Sequence, residues 1–248
     1  MISPYLQATR APRYSLLFAL PLLITYQVLA ALAPAGPGGV GIRNGADVAL
    51  ESVFVWLAGA WGPRLFLLCL IVAGAWLIAK DVRRNHASIR PALLAGMLLE
   101  AFCLALVFGI VVGGLTSTLL GGPPPGMAIG TGFTQQHISR ATLFMISLGA
   151  GIYEELLFRV LLVTGLAAAA RTLLGWTPFA AGSAATLLGA AIFSAFHYLG
   201  PYGDRWQLYS FLFRMIAGLF FSGLYLLRGF GVTAWTHALY DVSLLLLS

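Results

Sequence analysis

The chain has 248 residues, of which 60% are hydrophobic and only 9% are charged, and its mean hydropathy is +0.91. Soluble domains carry about 25% charged residues, so this chain has too few to cover a water-facing surface and is predicted to be an integral membrane protein. The net charge of +6 comes from basic residues that flank apolar runs, which is typical of membrane loops, so no nucleic-acid partner is expected.

Seven apolar runs are predicted to be membrane-spanning helices, since crossing about 30 Å of hydrocarbon takes roughly 20 apolar residues. They cover residues 15–33, 64–79, 91–120, 141–169, 180–198, 206–227 and 232–247. A shorter amphipathic run at 47–61 is predicted to be an interfacial or re-entrant helix. The Pro/Gly-rich segments 34–45 and 121–132 are predicted to be loops. The expected fold class is all-α, a polytopic transmembrane helix bundle.

Two basic stretches indicate how the chain is oriented in the membrane. Arg10 and Arg13 precede the first span, and the segment 80–90 carries four Lys or Arg residues. The positive-inside rule places both stretches in the cytoplasm, which requires two spans between them, as predicted. The N-terminus is therefore expected in the cytoplasm and the C-terminus outside. A signal peptide over residues 1–35 is the alternative interpretation of the first apolar run.

Three of the predicted spans carry motifs of ionisable side chains. An Asp, Glu, Lys or Arg near the bilayer centre costs about 2.5–3.5 kcal/mol on insertion scales, so such residues indicate function. The run 141–169 contains a Glu-Glu-x-x-x-Arg motif, the run 180–198 ends in Phe-x-x-x-His, and the last run contains His-x-x-x-Asp. The residues are Glu154, Glu155, Arg159, Phe193, His197, His237 and Asp241.

Helical geometry predicts different roles for the two adjacent glutamates. Positions four apart share a helix face, so Glu155 and Arg159 are expected to form an ion pair, and His237 and Asp241 share a face of their own helix. Glu154 points about 100° away from Glu155 and has no sequence-local partner. A structural Glu155 and a chemical Glu154 are therefore predicted, the latter able to accept a proton as a general base.

Other polar residues in or beside the spans are predicted to be structural. Histidines at helix ends are usually interfacial, and His86 and His137 are placed in that class. Glu100 and Arg214 are expected either to pair with each other between helices or to line a water-filled cavity. Taken alone, the Glu–Arg pair could be a salt bridge that only stabilises its helix. Taken alone, His197 would be interpreted as an interfacial residue. The three motifs together indicate a functional site.

With these motifs in this order, the sequence resembles the CPBP family of intramembrane glutamic endopeptidases. That family includes the CAAX prenyl proteases of the Rce1 type and the bacterial Abi proteins. The resemblance covers residues 141–248, interpreted as a catalytic helical core, while residues 1–140 supply the N-terminal helices and loops of the same membrane domain. It implies an enzyme of a bacterial inner membrane that needs no cofactor.

The resemblance also implies the substrate class and the roles of the motif residues. Membrane-associated proteins, or peptides with a membrane-anchored tail, would be the substrates, and membrane lipid the surroundings. Glu154, aided by His197, would activate a water to attack the scissile peptide carbonyl. His237 and Asp241 would stabilise the resulting oxyanion. The implied supporting residues are Glu155, Arg159 and Phe193.

Asp241 differs from the Asn that the family pattern also allows at this position. An Asn amide can donate a hydrogen bond to an oxyanion, whereas an ionised Asp can only accept. Asp241 is therefore expected to orient His237 and to favour its protonated form, which leaves His237 as the donor. A protonated Asp241 is the alternative.

The two motif histidines raise a question of depth in the membrane. His197 ends one predicted span and His237 lies near the start of another that runs in the same direction. Sixteen helical residues rise about 24 Å, so straight helices would separate these side chains. Tilted or broken helices around a water-filled chamber could bring them together, and the sequence alone does not decide between these arrangements.

Functions of other classes fit some of the same residues. Two histidines and two carboxylates are suitable zinc ligands, so a zinc protease is the chemical alternative, although the sequence has no H-E-x-x-H motif. A membrane immunity or chaperone-like protein would use the fold without catalysis. A proton-coupled transporter would use buried Glu, His and Arg as a relay, but no inverted repeat is detectable.

Overall fold

The computed structural model describes residues 4–33, 41–85, 88–122, 139–200 and 203–247, whose regular structure is helical. The helices are α1 (Pro4–Thr9), α2 (Pro12–Leu32), α3 (Gly45–Ala58), α4 (Gly62–Asn85), α5 (Pro91–Leu120), α6 (Arg140–Gly149), α7 (Thr164–Leu174), α8 (Pro178–Phe196), α9 (Leu208–Arg228) and α10 (Phe230–Leu247). A short 3₁₀ turn (Gly59–Trp61) connects α3 to α4, and a π-helical segment (Ala150–Val163) connects α6 to α7. His86 and His137 lie outside the described residues.

Within the described residues, seven helical stretches are long and apolar enough to cross a membrane. They are Pro12–Leu32, Gly45–Asn85, Pro91–Leu120, Arg140–Leu174, Pro178–Phe196, Leu208–Arg228 and Phe230–Leu247. Many large apolar side chains point outward, and Leu68, Ile110 and Leu187 are each more than half exposed. Such a surface is stable against lipid and not against water. The chain is thus an all-α integral membrane protein, as the sequence predicts.

The second stretch contains a sharp turn that divides it into two helices. The runs predicted at 47–61 and 64–79 correspond to α3 and α4. Gly59 adopts φ +55°, a left-handed conformation that glycine reaches easily. The rings of Phe54 and Phe66 have centroids 5.3 Å apart, so α3 folds back against α4. The start of α3 is thereby directed into the bundle.

The ends of α2 and α4 meet at one end of the bundle. Arg13 near the start of α2 forms an ion pair with Asp81 near the end of α4, with Nη1 and Oδ2 2.9 Å apart. The two basic stretches of the sequence therefore lie at the same end, which is the arrangement that the predicted orientation requires.

Glu100 and Arg214 do not pair with each other, contrary to one of the two expectations. Arg228, at the end of α9, donates to Glu100 with Nη2 and Oε2 2.6 Å apart. Arg214 instead forms an ion pair with Asp204 in the segment before α9. Glu100 and Arg214 therefore each have a different partner. Sequence spacing did not reveal the Glu100–Arg228 pair because its two residues lie on different helices.

Helix α10 lies directly against the π-helical segment. Gly151 has no side chain at the contact, where an added Cβ would lie 2.3 Å from the carbonyl oxygen of Ala234 and 2.8 Å from the Cβ of Ala238. Because a backbone oxygen cannot move away cheaply, this close approach requires glycine. It fixes the spacing between the helix of Glu154 and the helix of His237.

The Gly151→Ala variant is expected to lose about 1–3 kcal/mol of stability, because overpacking forces the two helices apart. Gly165→Ala is the matched control, since an added Cβ there meets no atom within 4 Å. Detergent-solubilised variants would be compared by thermal unfolding. Equal melting temperatures for the two variants would contradict the close contact at Gly151.

Candidate active site

The structure brings the four predicted site residues together inside the bundle. Glu154 lies on the π-helical segment, His197 directly after α8, and His237 and Asp241 on α10. The Oε2 atom of Glu154 is 3.9 Å from Nε2 of His197 and 4.0 Å from Nε2 of His237. Nε2 of His237 is 3.7 Å from Oδ2 of Asp241.

The structure brings the two histidines together, since the Nε2 atom of each lies within 4.0 Å of Glu154 Oε2. Leu174, the end of α7, follows Glu154 by 20 residues (174 − 154), and α8 has 19 residues. At roughly 1.5 Å per residue, each arm of this hairpin is close to 30 Å long. The residue after α8, His197, therefore lies again beside Glu154.

Glu155 and Arg159 form the ion pair that their spacing predicts. Arg159 Nε is 3.2 Å from Glu155 Oε2, and the two side chains are at most 1% exposed. The guanidinium lies over the ring of Phe193, 4.3 Å from its centroid, and also faces the ring of Phe221 at 5.5 Å. These cation–π contacts place Arg159 between two aromatic walls. Phe193 thus supports the pair from α8.

Glu155 also orients His237. Glu155 Oε1 is 2.7 Å from Nδ1 of His237. Because a carboxylate accepts, Nδ1 carries the proton and donates it, which leaves Nε2 facing Glu154 and Asp241. The ring of Phe221 stacks on the imidazole at 4.4 Å. Asp241 lies farther from the ring, with Oδ2 3.7 Å from Nε2, and its predicted orienting role stays a prediction.

His197 is held by the backbone of its own motif. Its Nδ1 is 2.9 Å from the carbonyl oxygen of Phe193, and since a carbonyl only accepts, Nδ1 carries a proton. Nε2 therefore points at Glu154. A neutral His197 presents its unprotonated Nε2 to the site.

Asn44 is a site residue that the sequence did not reveal. Its Nδ2 donates to Oε1 of Glu154 at 2.9 Å. Its Oδ1 accepts from the backbone N–H groups of Ala46 and Asp47, which makes Asn44 the N-cap of α3. An Asn before an apolar helical run is a recognisable N-cap signal, but it lay in the predicted loop 34–45, and nothing local indicates that its amide faces Glu154.

A buried polar network surrounds this cap and joins α2 to α3. Tyr26 donates to Asp47 at 2.6 Å, and Arg43 Nε donates to the same carboxylate at 2.7 Å. Gln27 donates to the hydroxyl of Tyr153 at 2.6 Å. The network therefore includes Tyr153, the residue that precedes Glu154 in the sequence. Because unpaired polar groups are costly inside a bundle, the network fixes the start of α3 beside the π-helical segment.

The described residues contain no group of three or more His, Cys, Asp or Glu side chains placed to hold a metal ion. Two ligands about 2.1 Å from one tetrahedral zinc lie roughly 3.4 Å apart. The separations of 3.9 and 4.0 Å from Glu154 to the histidines are wider. A bridging water, about 2.8 Å from each atom, suits these separations better.

Residues 136–243 match the family model described as type II CAAX prenyl endopeptidase, Rce1-like. This segment contains all three motifs, so the match confirms the family resemblance that they predicted. The family is one of proteases, which supports a peptide hydrolase that acts on membrane-associated proteins. No curated protein and no solved structure matches the chain.

Proposed function

We propose that this protein is an intramembrane endopeptidase of the glutamic type, in which Glu154 activates the attacking water. The observation that carries the proposal is the setting of Glu154 Oε2. This buried oxygen has no hydrogen-bond partner within the protein, and the Nε2 atoms of His197 and His237 face it at 3.9 and 4.0 Å. Such spacing suits a water bound between three side chains.

His197 and Glu154 share the task of orienting and deprotonating that water. Both present acceptor atoms to the gap between them, so a water there directs one hydrogen to each and turns a lone pair outward. Attack on the scissile carbonyl transfers a proton to Glu154 as the C–O bond forms. Glu154 then returns the proton to the amide nitrogen as the C–N bond breaks.

His237 is the proposed donor to the oxyanion. Carboxylates of Glu154, Glu155 and Asp241 lie within 4.0 Å of its ring nitrogens, and their negative charge stabilises an imidazolium. With Nδ1 bound to Glu155, the imidazolium offers its Nε2–H to the developing oxyanion. Asp241 contributes charge to this arrangement.

The proposed substrates are proteins or peptides with a membrane-anchored tail. Glu154 and both histidines lie among helices long enough to span a bilayer, which supports substrates that are themselves membrane-associated. The proposed location is a bacterial inner membrane with the N-terminus in the cytoplasm. Support for this orientation comes from the Arg13–Asp81 pair, which brings both basic stretches to one end.

Cleavage by the purified wild-type protein is expected to continue in the presence of a metal chelator, because the proposed mechanism needs no metal. A panel of fluorogenic peptides with lipid-anchored tails would be assayed in proteoliposomes with and without chelator. Complete loss of cleavage with chelator, restored by added zinc, would replace the proposal by the zinc protease. Binding of membrane proteins without cleavage of any panel member would favour the immunity or chaperone-like function.

A further inference from the structure

The two oxygens of Glu154 lie in different surroundings. Oε1 accepts a hydrogen bond of 2.9 Å from Nδ2 of Asn44, whereas Oε2 faces the two histidines. Asn44 precedes α3, far from the three motifs in sequence and outside the segment that matches the family model. The carboxylate of Glu154 is thus held from one side and left open on the other.

We propose that Asn44 is a positioning residue for Glu154, an inference that rests on the proposed function. By binding Oε1, the Asn44 amide fixes the rotation of the carboxylate and reserves Oε2 for the water between the histidines. A carboxylate free to rotate would present either oxygen and would lose the alignment that proton transfer needs. Asn44 acts through Glu154 and does not itself contact the reacting atoms.

The orientation of the Asn44 amide is fixed by the helix that it caps. Its Oδ1 accepts from two backbone N–H groups of α3, at 2.9 Å from Ala46 and 3.4 Å from Asp47. The amide nitrogen must therefore point away from α3, and Glu154 lies there. A capping side chain thus has a second, independent function on its other face.

The backbone around Asn44 is equally constrained. Its own N–H donates to the Tyr26 hydroxyl at 3.2 Å, and Asn44 is 3% exposed. Gly149 on α6 makes room for this contact, because an added Cβ would lie 2.5 Å from the Tyr26 ring and 2.8 Å from the Asn44 Cβ. Three elements therefore hold the donor at a set distance from Glu154, as a positioning role requires.

The Asn44→Ser variant separates positioning from capping. Serine caps a helix about as well as asparagine, but its short side chain cannot reach Glu154. We expect kcat to fall by roughly 10–100-fold with KM unchanged and the protein folded, since the carboxylate is present but misaligned. Asn44→Ala should lose the same activity and also melt at a lower temperature. Asn85→Ser, at the exposed end of α4, is the matched control and should resemble wild type.

An infrared measurement tests the contact without relying on cleavage. The carboxylate band of Glu154 is identified as the band that Glu154→Gln removes, and Asn44→Ser should shift it because one hydrogen bond is lost. An unshifted band, or wild-type kcat in Asn44→Ser, would overturn the positioning role. If the wild-type protein cleaves no peptide, the proposed function fails, while the infrared result still decides whether Asn44 holds Glu154.

Discussion

Glu154→Gln is expected to lower the rate of peptide cleavage by about 10²–10⁴-fold, the range that a positioned general base contributes. The glutamine amide oxygen can still accept from Asn44 Nδ2, which is 2.9 Å from Oε1 in the native site, so the fold should be retained. What the variant lacks is a group able to take a proton from water. The rate would be measured under single-turnover conditions, which isolate the chemical step from product release.

Glu51→Gln is the control for this variant. Glu51 is another carboxylate on a helix of the bundle, and its partner is Arg43, with Nη2 and Oε1 3.2 Å apart. It should retain wild-type activity. Equal losses in the two variants would indicate a general effect of removing charge from the bundle. Full activity in Glu154→Gln, with the protein folded, would remove Glu154 from the mechanism.

The parts of this site that the sequence predicts are those that a single helix encodes. Glu155 and Arg159 pair because four residues bring them to one helix face, and an apolar run makes any charge within it conspicuous. The seven spans follow from length and hydropathy alone. The catalytic roles of Glu154 and the histidines, and the division at residue 140, stay predictions.

The parts that the sequence did not predict depend on contacts between helices. His197 lies beside Glu154 because the two helical arms between them have matched lengths. The pairing of Glu155 with His237 depends on how the π-helical segment packs against α10. Asn44 was missed for the same reason, since 110 positions separate it from Glu154. The local sequence pattern contains no information on pairs of residues that are distant in sequence. Such residues come together only when the helices pack.

Arg159→Leu is expected to destabilise the protein by about 3–5 kcal/mol, because it leaves Glu155 buried without its guanidinium partner. The Glu155 side chain is fully buried, so water cannot replace the lost partner. Leucine also forfeits the cation–π contacts with Phe193 and Phe221. Unfolding of the purified variant in mixed detergent micelles would measure the loss against wild type.

The double variant Glu155→Leu/Arg159→Leu distinguishes stability from catalysis. Replacing both members of a buried ion pair by apolar side chains is often close to neutral, so stability should recover in large part. Activity should not recover, because His237 loses the carboxylate that accepts from Nδ1 at 2.7 Å and with it the fixed direction of Nε2. A stable and active double variant would show that Glu155 serves only to neutralise Arg159. A stable and inactive one would show that the same carboxylate both compensates a buried charge and orients the proposed oxyanion donor.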